Sequence, residues 1–210
     1  NDYLQSMKKA KVDYVELGFR FANKNKMLGP YAFTTDAFIK TLKTFKSQKY
    51  AVMINGSEYL KNTKKLIDEN FNHRKSSLIT LVRIAININD ALKCRNLINL
   101  LKNKGYKVAL NLMQPQNKDK NFLIQISQEI KNWGNLDILY FADSLGCLSN
   151  SHIKNLCIIF NKNWLGKFGI HAHNNRQMAL SNTIEAINNE VMWCDATVLG
   201  MGRGAGNLNT

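Results

Sequence analysis

His171 and His173 lie at the end of a predicted strand, Phe168–His171, in the run Gly169-Ile-His171-Ala-His173-Asn174-Asn175. Residues two apart on a strand face the same side, with Cα atoms roughly 6–7 Å apart. Both imidazoles can then meet one ion at about 2.1 Å from each nitrogen. Lone H-x-H pairs are common, so the pair acquires weight only from its surroundings. Asn174 can cap the helical stretch predicted over 176–189, and Asn175 can orient a histidine or a substrate oxygen. Downstream, Asp195-Ala-Thr197-Val-Leu-Gly200-Met-Gly202-Arg203-Gly204-Ala-Gly206-Asn207 places glycines at alternate positions after a strand. Such a loop lets backbone amides approach an anion or an ion closely.

Two further segments carry polar groups at strand ends. Asp143-Ser144-Leu-Gly146 closes the predicted strand Leu136–Ala142. An acid, a hydroxyl and a glycine there suit a substrate carboxylate or carbonyl, or else an Asx/Ser turn before the next helix. Glu16, in Val15-Glu16-Leu17-Gly18, is a carboxylate inside an apolar strand and demands a partner. Arg20 and Arg83 are the candidates within the chain.

These residues need a scaffold that delivers several strand ends to one place. Apolar, β-branched runs recur at Val12–Leu17, Tyr50–Ile54, Leu78–Ile84, Lys107–Leu112, Leu136–Ala142, Phe168–His171 and Cys194–Leu199. Consecutive apolar positions mark strands covered on both faces. Between them, Cys94, Leu97, Ile98 and Leu101 keep helical spacing, as do Ile153, Leu156, Cys157, Phe160 and Trp164. Lys104-Gly105, Trp133-Gly134 and Leu165-Gly166 place glycine where helices should end, Thr35 or Asp36 can cap the helix near Ala37, and Ser57 the next one. The two prolines, Pro30 and Pro115, fall in predicted loops. Strand–helix units of about 30 residues imply a parallel sheet, either open and doubly wound or closed as an eight-stranded barrel. The first segment, Tyr3–Ala10, reads as the tail of a helix, so a barrel would need a strand before it and a helix after the last strand.

At 210 residues, with 45% hydrophobic and 21% charged residues, the chain has the make-up of a globular domain with one substantial core. No apolar run approaches the roughly 18 residues of a membrane span, and no secretory signal opens the chain; a cytoplasmic protein without membrane or nucleic-acid partners is expected. The four cysteines, Cys94, Cys147, Cys157 and Cys194, form no C-x-x-C pair and read as buried free thiols. The net charge of +14 comes from lysines spread over helix faces. It fits a solvated surface; a basic, non-catalytic binding module is the competing reading.

Taken together, the chain resembles the DRE-TIM metallolyases, the group of 3-hydroxy-3-methylglutaryl-CoA lyase, isopropylmalate synthase and 4-hydroxy-2-oxovalerate aldolase. The resemblance is carried by Gly169 to Asn175, by Ala179, Asn182 and Ala186, and by Asp195-Ala-Thr197 with Gly200 to Asn207. Val12 to Arg20 is similar to the family's second strand and Asp143 to Gly146 to its sixth. The implied fold is an α/β TIM (β/α)8 barrel, incomplete, with strands two to eight present and residues 1–210 forming a single partial catalytic domain.

The resemblance also implies roles. His171, His173 and Asn207 would ligate a divalent metal, Mn2+ foremost, with Mg2+, Co2+ or Zn2+ as alternatives. Ser144, Asp143 and Asn175 would contact substrate. Glu16 would support an arginine of the family's first strand, where an Arg-Asp pair normally supplies enolate stabilisation and a third ligand. These 210 residues lack that pair, so the fragment alone is expected to be inactive. The implied activity is an aldolase or lyase making or breaking a C–C bond next to a 2-oxo acid through a pyruvate enolate. An acetyl-CoA-dependent Claisen synthase or a degenerate barrel subunit are the alternatives. A 2-oxo or hydroxy acid substrate, a homo-oligomer and an aldehyde dehydrogenase partner follow from the same resemblance.

Overall fold

Seven parallel strands hydrogen-bond in chain order: β1 (Tyr14–Phe19), β2 (Lys49–Asn55), β3 (Ile79–Asn87), β4 (Lys107–Met113), β5 (Ile138–Asp143), β6 (Lys167–Ala172) and β7 (Trp193–Cys194). The computed structural model describes residues 2–23, 28–202 and 206–209. Helices α1 (Asp2–Lys9), α2 (Asp36–Thr41), α3 (Gly56–Tyr59), α4 (Thr63–Asn70), α5 (Arg95–Asn103), α6 (Lys120–Asn132), α7 (Asn150–Trp164) and α8 (Ala179–Asn188) alternate with them. A doubly wound sheet reverses its strand order partway across. Unbroken sequential order is that of a barrel, and the fold is an incomplete TIM barrel. No helix among the described residues is long and apolar enough to cross a membrane.

The chain packs as two compact units, one running to Ala85 and including Lys93–Ala109, the other made of Ile86–Leu92 and the chain from Leu110 onward. In the first, Thr35 starts α2 by accepting the Phe38 N–H at 3.1 Å. Asn55, not Ser57, caps α3, because β2 turns directly into that helix and the Asn55 side chain meets the Ser57 N–H at 3.2 Å. Leu97, Ile98 and Leu101 form the buried stripe of α5. Glu16 finds Arg83 at 3.2 Å. Arg20, 1% exposed, has a different task. Its Nε donates to Thr34 O at 2.7 Å, Nη1 to Asn70 O at 3.0 Å and Nη2 to Asp36 at 3.3 Å, and the guanidinium lies 4.8 Å from the Phe71 ring centroid. It ties the β1 end to α2 and α4.

In the second unit, Ile153, Leu156, Cys157, Phe160 and Trp164 are all buried along α7. Phe141, Phe160 and Phe168 pack with centroids 5.2–6.4 Å apart. Burial pushes the Cys157 thiol up to about 12. The thiols are less uniformly hidden than expected: Cys94 and Cys157 are buried, Cys147 is half-buried and Cys194 is exposed.

Three boundaries depart from the sequence pattern. Gly105 and Gly134 take positive φ, but after α7 it is Leu165 that does so, at φ 60°. Gly166 is required for space instead: a Cβ there would meet the Trp164 indole at 2.6 Å, while Trp164 Nε1 bonds Lys167 O at 2.9 Å. Helix α8 begins at Ala179, after a turn in which Gln177 N–H meets Asn174 O. The strand expected over Cys194–Leu199 is only Trp193–Cys194, and Val198–Gly200 form a 3-10 turn. Thr197 N–H donates to Leu208 O, so the returning chain takes the ladder that β6 would otherwise fill, leaving Leu199 81% exposed.

Arg20→Met should remove three hydrogen bonds and leave Asp36 its two partners, Ser77 and Asn72. A loss of about 2–3 kcal/mol is expected, discounting the cost of a broken buried pair for the acceptors that keep partners. Thermal unfolding followed by circular dichroism checks it, with a midpoint lower by roughly 5–10 °C.

Candidate metal and substrate site

Strand β6 ends in Ile170-His171-Ala172, and the residues following it and β7 come back alongside. Cys194 pairs with Ile170 in the parallel ladder, and Asp195 N–H donates to Ile170 O. This register puts the Asp195 side chain next to His171, with 2.9 Å between Oδ2 and Nδ1. His171 and His173 stand with ring centroids 5.0 Å apart and planes at 79°. Both emerge on one side, as period-two geometry requires.

Residues 206–209 then run antiparallel along the end of β6. Asn174 N–H donates to Gly206 O and Leu208 N–H to Ala172 O, which places Asn207 opposite His173. Two glycines make this approach possible. Gly206 holds φ 86°, and a side chain there would run into the Gly200 carbonyl. A Cβ on Gly202 would lie 2.5 Å from Asn207 Nδ2. The part of the glycine loop formed by Arg203, Gly204 and Ala205 lies outside the described residues.

Asn207 Nδ2 donates to Met201 O at 2.9 Å, and that bond decides which way the amide points. Its Oδ1 is buried and has no hydrogen-bond partner among the described residues. A buried carbonyl oxygen on the residue opposite His173 is an unsatisfied donor of electron pairs, and oxygen with imidazole nitrogen is a donor set that divalent ions accept. The residues present therefore fit a divalent ion in part. Among the described residues, no group of three or more His, Cys, Asp or Glu side chains stands at ligating spacing.

The neighbouring loop is built around Asp143. Its Oδ1 accepts the Cys147 N–H at 3.0 Å and Oδ2 the Leu148 N–H at 3.2 Å. Asp143 is fully buried, which pushes its carboxyl above the usual carboxylate range; the amides of Cys147, Leu148 and Gly146 pull it partly back. Both oxygens are thus engaged in the turn. Ser144 is held loosely, its hydroxyl 3.4 Å from Ala142 O. Gly146, at φ 57°, lies directly against Asn175, whose atoms a Cβ would meet at 2.7–2.8 Å. Arg176 Nη1 to Cys147 O joins this loop to the one after β6, and Asn182 Nδ2 to Leu148 O joins it to α8. Asn174 Oδ1 accepts the N–H of Ala179, the first residue of α8, from outside the N-cap position, which Met178 occupies.

The candidates thus divide. His171, His173 and Asn207 come together; Asp143, Gly146 and Asn175 meet at the adjacent loop; Glu16 belongs to the other packing unit and pairs with Arg83. Asp195 was missed as a partner of His171. The signal for it was its place one residue past a strand that neighbours the histidine strand.

Asp143→Asn would turn an amide N–H against the Cys147 or Leu148 N–H. It should cost about 1–2 kcal/mol. A carboxyl whose native value lies above its unfolded one binds its proton more tightly in the fold, so it adds stability as pH falls through the native value. The gap between native and variant unfolding midpoints should therefore widen from pH 7 toward pH 4; a gap that narrows would reverse the sign.

The HMGL-like family model matches residues 1–210. Over 133 residues the chain is 31% identical to 4-hydroxy-2-oxovalerate aldolase of Thermus thermophilus, covering 61% of this chain and 37% of that protein. The corresponding protein of Geobacillus genomosp. 3 is 30% identical over 132 residues, 63% of this chain and 39% of its own length. The chain thus spans under two-fifths of the curated relatives it matches. Among solved structures, the N-terminal domain of a Bacteroides vulgatus protein assigned as an aldolase superposes with a TM-score of 0.82 at 29% identity, over 99% of this chain and 68% of that one. Hydroxymethylglutaryl-CoA lyase from Pseudomonas aeruginosa shares the fold, with a TM-score of 0.74 at 16% identity over 100% of this chain and 75% of that one.

Proposed function

The chain belongs to the HMGL-like family, and from that premise we propose that the whole protein is a divalent-metal-dependent aldolase. It makes or breaks the C–C bond next to a 2-oxo acid through a pyruvate enolate. The observation that supports this reading most directly is the buried, unpartnered Asn207 Oδ1 beside His173 and the Asp195-bound His171.

His171, His173 and Asn207 would hold the ion, with Mn2+ the metal we favour for this mixed nitrogen and oxygen set. The chemistry such an ion supplies when bound is Lewis-acid polarisation of the 2-oxo group. Asp195 positions His171. With Nδ1–H donated to the carboxylate, the imidazole carries its lone pair on Nε2 and keeps one ring orientation. Ser144 has a long bond to Ala142 O that a substrate carboxylate can displace at little cost. Asn175 and the Asp143 turn line that loop. The aspartate and arginine expected on a preceding strand are not among these 210 residues, so the assays below use the intact protein.

With that protein and Mn2+, a 4-hydroxy-2-oxo acid should release pyruvate, and a chelator should abolish the release. Free CoA produced from acetyl-CoA and a 2-oxo acid, with no pyruvate release, would replace the aldolase by a Claisen synthase. Asp195→Asn should weaken Mn2+ binding about 10–100-fold by titration calorimetry, while circular dichroism stays native. Unchanged affinity would remove the positioning role.

A further inference from the structure

Strand β4 carries a buried polar residue near its carboxyl end. Val108, Leu110 and Leu112, on one face of β4, are 0% exposed and apolar; Asn111, on the other face with Ala109 and Met113, is 2% exposed. Its Oδ1 has no hydrogen-bond partner among the described residues. Five residues on, Gln116 in the 3-10 turn Pro115–Asn117 hides both amide atoms, Oε1 and Nε2, and neither has a partner among the described residues. Between them Gln114 takes the left-handed conformation at φ 60°, a costly state for a side-chain-bearing residue. It is held there with its Oε1 accepting from Asn87 Nδ2 at 3.0 Å.

A buried amide left unpaired destabilises the fold, and three such atoms close together in sequence need an explanation beyond packing. Asn111 lies near the carboxyl end of β4, and His171 near the carboxyl end of β6, in the same packing unit. In barrels, ligands are bound at those ends. With strands about 4.8 Å apart, the two positions are separated by roughly 10 Å along the wall, the reach of a small extended substrate.

We propose that Asn111 and Gln116 form the subsite for the aldehyde, and that the aldehyde is hydroxylated. The inference rests on the aldolase reading above. Asn111 presents an acceptor and Gln116 both an acceptor and a donor, all neutral. A hydroxyl, which donates and accepts without charge, satisfies them; an alkyl chain leaves them unpaired. In the reaction, C3 of the pyruvate enolate forms the new bond to the aldehyde carbon. The carbonyl π pair moves to the aldehyde oxygen, which takes up a proton, and no oxidant or reductant is consumed.

The test uses the intact protein with Mn2+, pyruvate and a size-matched pair of aldehydes, glycolaldehyde and propanal. Pyruvate C3 proton–deuterium exchange is followed by NMR in parallel. Exchange with kcat/KM at least about ten-fold higher for glycolaldehyde is the expected result. Asn111→Leu and, independently, Gln116→Met should each bring that ratio toward one, so a misfolded Asn111 variant leaves the second to decide. Exchange without a preference, or a preference that neither folded variant alters, overturns the hydroxylated-aldehyde subsite alone. Absence of both exchange and aldol addition overturns the aldolase reading and the subsite with it.

Discussion

The return of residues 206–209 along the end of β6 is the contact on which the candidate metal site hangs. Two backbone bonds, Asn174 N–H to Gly206 O and Leu208 N–H to Ala172 O, bring an amide side chain against a histidine more than thirty residues earlier. Everything nearby is shaped by that approach. Gly206 and Gly202 have no side chains because a Cβ on either would occupy the space of Gly200 or of Asn207. Strand β7 is cut short because Thr197 gives its N–H to Leu208. Met201 O receives both Thr197 Oγ1 and Asn207 Nδ2, so one carbonyl fixes the hydroxyl and the amide together.

Features with a local cause were legible in the sequence. The alternation of apolar strands and helices implied a parallel sheet, open or closed, and the family resemblance pointed to the barrel whose sequential order the sheet has. The stripes on α5 and α7 are buried as their spacing requires. His171 and His173 share a face because strands repeat every two residues. What escaped depends on partners distant in sequence. Asp195 meets His171 only through the β6–β7 register. Leu165 takes the left-handed turn because Trp164 lies across Gly166. Asp143, read as either substrate contact or turn, has both oxygens engaged in a turn, because its amide partners stand four and five residues downstream. The spacing allowed that outcome without deciding it.

Buried polarity is treated in two ways in this chain, and the contrast separates structure from chemistry. Arg20 is almost fully enclosed, yet each of its donor nitrogens reaches an acceptor and a ring covers its face. Asp143 is enclosed and accepts on both oxygens. Such groups repay their desolvation within the fold and fasten loops to strands. Asn207 Oδ1, Asn111 Oδ1 and the Gln116 amide are enclosed without repayment. Replacing Asn111 or Gln116 by an apolar residue of similar shape would be neutral or favourable to stability by itself, whereas Asn207 also holds Met201 O through its Nδ2. On the proposals above, these atoms near strand ends, with Gln114 left-handed between two of them, are the ones that a bound ion or substrate would complete.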